Sequence, residues 1–407
     1  MEYFIHLVTG ICSNGLFLVF LIAVLGYLLG AINICGIKLG TSAVFLAALV
    51  FGHFGFSDTS LLHSIGLITA SSASLQSTFS LIQNFGLLCF VTAVGLIAGP
   101  NFFRDFKRNI KSYVLIAGIV VGLGVIVSIL LIKCGGIDFA LATGLLSGAL
   151  TTTPGYAAAQ DAVAGSDLLL KEVSAGYAVA YPFGVIGVVL FVQIVPRLLH
   201  ADMDKERSYL LVDSHAKTTE GNQAFRVDPM GIFVFSLTVI FGIFLGKISI
   251  PLPGGAAFSL GNTGGALTMG LICGHFRKLG KLDLTVPTNV LETLRELGLM
   301  MFLIGAGVPS GSGFYQVLQT RGPILFLYGA LLTAIPMVCG FLFARYILKM
   351  PLLNNLGAIT GGMTSTPALG TLIRVADTSN VASSYASVYP VALVLIVLAI
   401  QLLDILF

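Results

Sequence analysis

The chain has 407 residues, of which 56% are hydrophobic and only 10% are charged, and its formal net charge is +3. Soluble globular domains carry about 25% charged residues, so this composition, with a mean hydropathy of +0.98, excludes an ordinary water-soluble fold. The small net charge gives no indication of a nucleic-acid partner.

Runs of about 20 apolar residues follow one another along the chain, which is the length that a membrane-spanning helix needs. Two less apolar segments, Leu61–Ser80 and its counterpart Asp283–Glu296, are predicted to be partly amphipathic and to lie at the membrane interface. In the first part of the chain we predict full spans at residues 14–34, 39–56, 84–103, 112–133 and 174–196.

The second half of the chain repeats the first. Four patterns, among them GHF, TxTP and YxxxYP, recur in the same order, and such self-similarity indicates a duplicated unit. The matching segments are Leu39–Gly55 with Leu260–Gly280, Phe85–Phe103 with Leu297–Tyr315, Ser147–Gly155 with Thr360–Ala368, and Tyr177–Gln193 with Tyr385–Gln401. We predict two repeats, residues 1–196 and 230–407, joined by a polar linker at residues 197–229 that holds five Lys/Arg and six Asp/Glu.

The distribution of basic residues predicts the orientation of the repeats, because cytoplasmic loops are enriched in Lys and Arg. If each threonine-rich segment dips into the membrane and returns, 17 of the 21 basic residues, including those of the loop Arg104–Lys111, fall on the linker side. We therefore predict an all-α polytopic protein with two inverted repeats, each with about five transmembrane helices and a re-entrant or broken hairpin. The linker is predicted to be cytoplasmic and both termini outside.

The threonine-rich segments are the candidate substrate site. A proline disfavours helix in the residue before it and suits the first turn of a new helix. We expect the chain to break around Thr153, so that a half-helix with free N–H groups and a positive dipole end begins near Pro154. An ordinary Ser/Thr-Pro kink is the alternative. The predicted substrate-binding residues are Thr151, Thr152, Thr153, Pro154, Gly155, Thr364, Ser365, Thr366, Pro367 and Arg374.

Ionisable and amide residues near these segments are candidates for coupling or substrate contact. Asp161 follows the first segment, and Arg374 and Asp377 follow the second. An Arg suits a substrate carboxylate, whereas an Asp suits an amine or a proton; solvated positions at the interface are the alternative. Gln193 and Gln401 could bond across helices or touch solute, and packing is the favoured interpretation.

Several other residues are interpreted as structural. His53 and His275 are repeat-equivalent and are expected to be interfacial, and the Tyr-Pro pairs of the last spans are expected to be hinges. The charged residues around Arg295 are interpreted as a surface helix pair. The scattered cysteines have no spacing typical of a metal site, so we expect no metal and no cofactor.

The sequence resembles the aspartate:alanine exchanger family of bacterial membrane antiporters. The residues that carry the resemblance are GALTTTPGYAAAQDA and GGMTSTPALGTL, in two halves separated by a hydrophilic region. It implies exchange of small carboxylates, such as aspartate for alanine, or export of a dicarboxylate such as succinate, in a bacterial inner membrane. Many members have soluble regulatory domains between the halves, which the linker replaces here.

The leading hypothesis is a secondary active transporter of small organic anions, with an exchanger preferred. An ion- or proton-coupled symporter of the same substrates and an anion channel are the alternatives, although a channel needs a continuous polar lining. A membrane-embedded enzyme ranks last, because no nucleophile–base or metal motif is present. The expected partners are a small anionic organic substrate and the lipid bilayer, with no nucleic acid, and a homodimer is left open.

Overall fold

The computed structural model of the chain is helical, with three short antiparallel strand pairs. It describes the backbone of residues 9–34, 37–38, 43–56, 61–66, 68–163, 165–210, 226–251, 257–276, 278–279 and 282–407. Among these residues, the order of the helices repeats in the two halves of the chain. The fold is therefore the duplicated all-α architecture that the sequence predicts.

The described part of the first repeat is mostly helical and includes one strand pair. Asn14 caps the helix Gly15–Ala31 by accepting hydrogen bonds from the N–H groups of Leu16 and Phe17, at 3.0 and 3.2 Å. The helices are α1 (Gly15–Ala31), α2 (Ala43–Gly55), the single turn α3 (Leu61–Ser64), α4 (Ser72–Gly135), α5 (Phe139–Ala149), α6 (Thr153–Ala162) and α7 (Asp167–Leu198), and strand β1 (Asn33–Ile34) pairs with β2 (Ile37–Lys38).

The described residues of the linker include a short helix, and the second repeat follows the order of the first. The linker helix is α8 (Met203–Leu210). The second repeat contains α9 (Ile232–Gly246), α10 (Gly261–Phe276), α11 (Thr288–Arg321), α12 (Ile324–Leu342) with a π-helical turn (Phe343–Ile347), α13 (Leu352–Gly362), α14 (Thr366–Ala376) and α15 (Val381–Leu406). Its strand pairs are β3 (Ser249–Pro251) with β4 (Ala257–Ser259), and β5 (Lys278–Leu279) with β6 (Leu282–Asp283).

Five helical stretches in the described residues are long and apolar enough to cross a membrane. They are Ala73–Pro100, Asn109–Gly135, Leu168–Leu198, Ile324–Ile347 and Val381–Asp404, and α1, α2, α5 and α9 are shorter apolar helices. This pattern confirms a polytopic membrane protein. Which side each loop faces, and where the termini lie, stay predictions.

Three boundaries differ from the sequence prediction. The segment Leu61–Ser80 is not a separate interfacial helix, because its residues from Ser72 onward are the first turns of α4. Leu75 and Phe79, one turn apart, are fully buried in protein, whereas Leu61 and Ile65 are exposed, so only the part from Ser72 onward departs from the predicted interfacial segment. Asp283–Glu296 likewise runs into α11 from Thr288. The loop predicted at Arg104–Lys111 is helical, within α4.

The chain divides into two compact units. Unit 1 comprises residues 1–87 and 297–327, and unit 2 comprises residues 88–296 and 328–407. In unit 1, helix α2 of the first repeat packs closely against α11 of the second, with Gly52 against the backbone of Val308. Unit 2 contains both threonine-rich segments. Part of its hydrophobic core is formed by Cys89, Ala93, Leu96, Phe235, Cys273 and Leu291.

Candidate functional site

Each threonine-rich segment is the tip of a helical hairpin. In the first repeat, a Cβ added to Gly148 on α5 would lie 2.6 Å from the carbonyl oxygen of Tyr177 on α7, and Gly144, one turn earlier, meets Val173. Both contacts advance in the same chain direction, so α5 and α7 run parallel. The chain must therefore return between them, and α6 is the returning arm. We call residues 139–162 hairpin 1.

The second repeat has the same geometry at equivalent positions. A Cβ added to Gly361 on α13 would lie 2.6 Å from the carbonyl oxygen of Tyr385 on α15, and Gly357 meets Val381 at 2.8 Å. Helices α13 and α15 are thus parallel, and α14 is the returning arm of hairpin 2, residues 352–376. The predicted re-entrant elements are confirmed in both repeats.

The first arm of each hairpin ends in a Schellman motif whose left-handed residue is a threonine. In hairpin 1, the N–H of Thr151 donates to the carbonyl of Gly148 and the N–H of Thr152 donates to that of Ser147, both at 2.9 Å. Thr364 and Ser365 make the equivalent bonds in hairpin 2, both at 3.0 Å. These are the two bonds that define the motif.

Glycine is the usual residue at this left-handed position, because a β-branched residue is sterically disfavoured there. Thr151 has φ 52° and Thr364 has φ 48°. Such a conformation costs on the order of 1–3 kcal/mol and persists only where the surroundings hold it. Both tips therefore store strain at the same repeat-equivalent residue.

Reciprocal hydrogen bonds between the tips hold these two threonines. The Oγ1 of Thr151 donates to the carbonyl oxygen of Met363 at 3.2 Å, and the Oγ1 of Thr364 donates to the carbonyl oxygen of Leu150 at 2.6 Å. Each hydroxyl thus bonds to the residue just before the other threonine, as a pseudo-twofold axis requires. The tips therefore meet directly.

The hairpins approach each other from opposite ends of the last helix. Tyr385, early in α15, packs on the first arm of hairpin 2, whereas Ile396 lies about 16 Å farther along that helix. A Cβ added to Gly155 in hairpin 1 would lie 2.7 Å from Ile396. Helix α7 packs against α14 in the corresponding way. Inverted repeats whose broken helices meet in this manner are typical of secondary transporters.

The N-termini of the two returning arms are capped differently. In hairpin 1, Thr152 accepts a hydrogen bond from the N–H of Gly155 at 3.2 Å, so the cap of α6 is satisfied. In hairpin 2 the corresponding residue, Ser365, makes no side-chain capping bond. Its side chain is fully buried, and its Oγ has no hydrogen-bond partner among the residues that the structure describes.

Tyrosine pairs from the last helices surround the tips. Tyr177 stacks on Tyr181 with ring centroids 5.2 Å apart, and Tyr385 stacks on Tyr389 at 5.3 Å. The hydroxyl of Tyr385 lies 3.4 Å from Oγ1 of Thr366. The Tyr-Pro pairs are predicted hinges, and that stays a prediction. Tyr385, the first tyrosine of the second YxxxYP pattern, lies beside the second tip, and the repeat alignment was the signal for it.

Of the other predicted tip residues, Pro154, Gly155 and Pro367 lie in the first turns of the returning arms, as the sequence predicts. Helix α6 begins at Thr153, which confirms the predicted break. The side chains of Thr153 and Asp161 lie outside the described residues, so nothing follows about their contacts.

The charged candidates Arg374 and Asp377 lie away from the tip of hairpin 2. Arg374 and Asp377 are exposed at the far end of α14, with Arg374 about 12 Å along the helix from Thr366. Gln193 is buried, with its Nε2 3.4 Å from the carbonyl of Val189, and Gln401 is half-buried. The contact of Gln193 fits the packing interpretation.

One structural interpretation from the sequence was wrong. Arg295, interpreted as part of a surface pair, is only 8% exposed. Its Nη1 donates to Oγ of Ser379 at 3.1 Å, and its Nη2 lies 3.3 Å from Oε1 of Glu296. The spacing of charges on α11 is typical of a solvated helix face, whereas the structure buries Arg295 and bonds it to Ser379 of the loop after α14. His53 is half-buried and His275 is exposed, and each has aromatic ring contacts.

Comparison with known proteins assigns the chain to a transporter family. A family model described as a predicted permease membrane region matches residues 18–197 and 234–405. An uncharacterized transporter of Bacteroides fragilis is 27% identical over 97% of this chain and 99% of its own length. Uncharacterized transporters of Bacteroides thetaiotaomicron (25% identical; 97% of this chain, 99% of the relative) and Desulfotalea psychrophila (26%; 97% of each) align similarly.

These alignments extend over 550 to 552 positions, although this chain has 407 residues, so the relatives contain segments that this chain lacks. The family match leaves out residues 198–233, which lie between the two repeats. With two inverted repeats and re-entrant hairpins, the chain is a membrane transporter and belongs to the aspartate:alanine exchanger family.

Proposed function

We propose that the protein exchanges small carboxylates, such as aspartate and alanine or C4-dicarboxylates, by alternating access, and that the paired hairpin tips hold the substrate. The observation that carries this proposal is the cap of α14. Within the described part of the chain, Ser365 places a buried hydroxyl without a partner beside a helix N-terminus that has no side-chain cap. A buried polar group without a partner costs free energy, and a ligand that bonds to it recovers that cost.

The hydrogen bonding of the tips favours an anion. At the ends of the first arms, the carbonyl groups of Leu150 and Met363 already accept the threonine hydroxyls, and those of Ser147 and Thr360 accept backbone N–H groups. The acceptors are thus largely used, whereas the hydroxyl of Ser365 remains as a donor beside the start of α14, where the N–H of Thr366 already donates to the carbonyl of Thr364 at 3.2 Å and Pro367 has no N–H. A hydroxyl donor at the positive end of a helix dipole suits a carboxylate.

The difference in helix capping between the two tips favours a substrate that places one carboxylate at hairpin 2. Hairpin 1 satisfies its own cap through Thr152, whereas hairpin 2 leaves its cap open. The hydroxyls of Thr366 and Tyr385 lie 3.4 Å apart, at the long end of hydrogen bonding. Both are therefore available to a second polar group of the same solute, which could be an amine or a second carboxylate.

The test is counterflow into liposomes that contain the purified protein, with a panel of amino acids and dicarboxylates. We expect rapid uptake of a labelled carboxylate only when a carboxylate is present on the other side. Uptake driven by an imposed ion gradient without internal substrate indicates a coupled symporter, and uptake that is passive and conductive indicates a channel. Either result would contradict exchange.

Two variants connect transport to the tips. Thr152→Ala removes the satisfied cap of hairpin 1, and Ser365→Ala removes the open one of hairpin 2. A hydrogen bond to a charged group is worth about 1.5–3 kcal/mol, so we expect the apparent substrate affinity of Ser365→Ala to fall by about 10- to 100-fold. Uptake at wild-type affinity in both variants would contradict a site at the tips.

A further inference from the structure

The two hairpins are held differently at their bases, the ends away from the tips. Hairpin 1 is capped by its own neighbours: Asp138 accepts from the N–H of Leu141 at 2.7 Å, and Ser166 accepts from that of Leu169 at 3.4 Å. At the corresponding starts of α13 and α15 in hairpin 2, Pro351 and Asn380 make no side-chain capping bond.

Linker helix α8 supplies the missing cap. The Oε2 of Glu206 accepts a hydrogen bond from the backbone N–H of Leu352, the first residue of α13, at 2.8 Å. A carboxylate at this position satisfies an otherwise orphan donor and interacts favourably with the helix dipole. The second repeat lacks an aspartate equivalent to Asp138, and a residue of the linker takes its place.

The next residue of the linker helix contacts the other end of hairpin 2. Arg207 forms an ion pair with Asp377 at 3.2 Å, and it also pairs with Asp204 of its own helix at 2.7 Å. Asp377 is the left-handed residue that ends α14. Glu206 and Arg207 thus join the start of the first arm to the end of the returning arm.

Arg295 holds the same base from another helix. Its Nη1 donates to the Oγ of Ser379, two residues beyond Asp377, and the arginine is almost fully buried. The connection between α14 and α15 is therefore held by α11 on one side and by the linker on the other. Between α6 and α7, hairpin 1 relies on the Ser166 cap of its own repeat.

We propose that Glu206 and Arg207 are positioning residues for transport: they hold the base of hairpin 2 and so set how readily this hairpin moves when substrate enters or leaves on the linker side. The proposal rests on the proposed transport function. In this account the conformation that Glu206 and Arg207 stabilise is the one that binds substrate. Removing their contacts lowers the population of that conformation and raises the apparent KM on the linker side in proportion. Loss of one helix cap corresponds to about a fivefold change.

The experiment compares side-specific transport with local hydrogen exchange, both on the full-length protein in liposomes. For Glu206→Ala we expect about a fivefold rise in KM from the linker side, and for Arg207→Ala a smaller rise on that side because its ion pair with Asp377 is exposed. Neither variant should change KM from the other side. Lys205→Ala is the matched control, because Lys205 is an exposed residue of the same helix. Asp377→Asn combined with Arg207→Ala should be no worse than either single change, because both remove the same ion pair.

Hydrogen exchange tests the hold without reference to any substrate. We expect faster exchange in residues 352–362 and 377–380 of Glu206→Ala, and unchanged exchange in residues 139–149 of hairpin 1. Unchanged exchange in hairpin 2 would overturn the proposal even if carboxylate exchange is confirmed. Faster exchange with equal changes of KM on both sides would show a general loss of structure and would also overturn it. Absence of carboxylate transport together with faster exchange in hairpin 2 would refute the proposed function and leave the hold itself supported.

Discussion

Replacing Ser365 by alanine should make the substrate-free protein more stable and the transporter worse. The hydroxyl of Ser365 is fully buried and has no hydrogen-bond partner among the described residues. Burying such a group costs about 1–3 kcal/mol, and alanine removes the group while it leaves the Cβ in place. We therefore expect Ser365→Ala to raise the free energy of unfolding without substrate by about 1–2 kcal/mol.

The same change should remove most of the stabilisation by substrate. Wild-type protein gains stability in proportion to ligand occupancy, so saturating substrate should raise its Tm. In Ser365→Ala the affinity falls by about 10- to 100-fold if the hydroxyl donates to a carboxylate. Substrate at the wild-type saturating concentration should then raise the Tm of the variant far less.

The assay is thermal unfolding of detergent-purified protein with and without substrate, next to counterflow in liposomes. Ser128→Ala is the matched control, because Ser128 is equally buried but its Oγ already donates to the carbonyl of Gly124 at 2.9 Å. That variant should lose about 1 kcal/mol and keep its substrate affinity. If Ser365→Ala is destabilised as Ser128→Ala is, and keeps wild-type affinity, the assignment of Ser365 to the substrate site is refuted.

Three further changes test the hairpin geometry. Thr364→Gly relieves the left-handed strain that Thr364→Ala retains. We therefore expect the glycine variant to have a free energy of unfolding about 1 kcal/mol higher than the alanine variant, and a higher Tm; the reverse order would contradict a strained tip. Gly361→Ala places a Cβ 2.6 Å from the carbonyl oxygen of Tyr385 and should lower the free energy of unfolding by more than about 2 kcal/mol. Gly118→Ala, whose added Cβ has no described atom within 4 Å, should be neutral or stabilising. Equal effects in these two glycine variants would refute close parallel packing. Arg374→Gln should change KM for substrate on the side away from the linker by less than about threefold, because Arg374 lies about 12 Å from the tip along α14. A rise in KM of about tenfold or more would support Arg374 as a substrate ligand.

The duplicated architecture and the break at the threonines could be predicted from the sequence, because both depend on local chemistry. A proline ends one helix and suits the start of another wherever it stands, and α6 begins at Thr153 as expected. The repeated TxTP pattern then predicts a second break at Thr366. These features need no knowledge of which helices become neighbours.

The remaining features depend on contacts between distant segments. The bonds between Thr151 and Met363 and between Thr364 and Leu150 join residues more than 200 positions apart, and no local pattern indicates that each hydroxyl bonds to the opposite tip. Charge spacing predicts an exposed Arg295, whereas packing of the loop after α14 buries it. The linker likewise has the composition of a solvated connection. Its sequence does not indicate that Glu206 bonds to the N–H of Leu352 in hairpin 2, because that bond depends on how the two segments pack.

The most direct test of the central claim is a disulfide between the two tips. In a variant without native cysteines, Thr151→Cys and Thr364→Cys are combined, and a protease site is placed within residues 211–225 so that cleavage separates the two repeats. We predict that mild oxidation keeps the cleaved halves together on a denaturing gel and stops counterflow, and that reduction reverses both effects. Halves that separate after oxidation, under conditions in which both cysteines are shown to be oxidised or blocked from labelling, would contradict tips that meet.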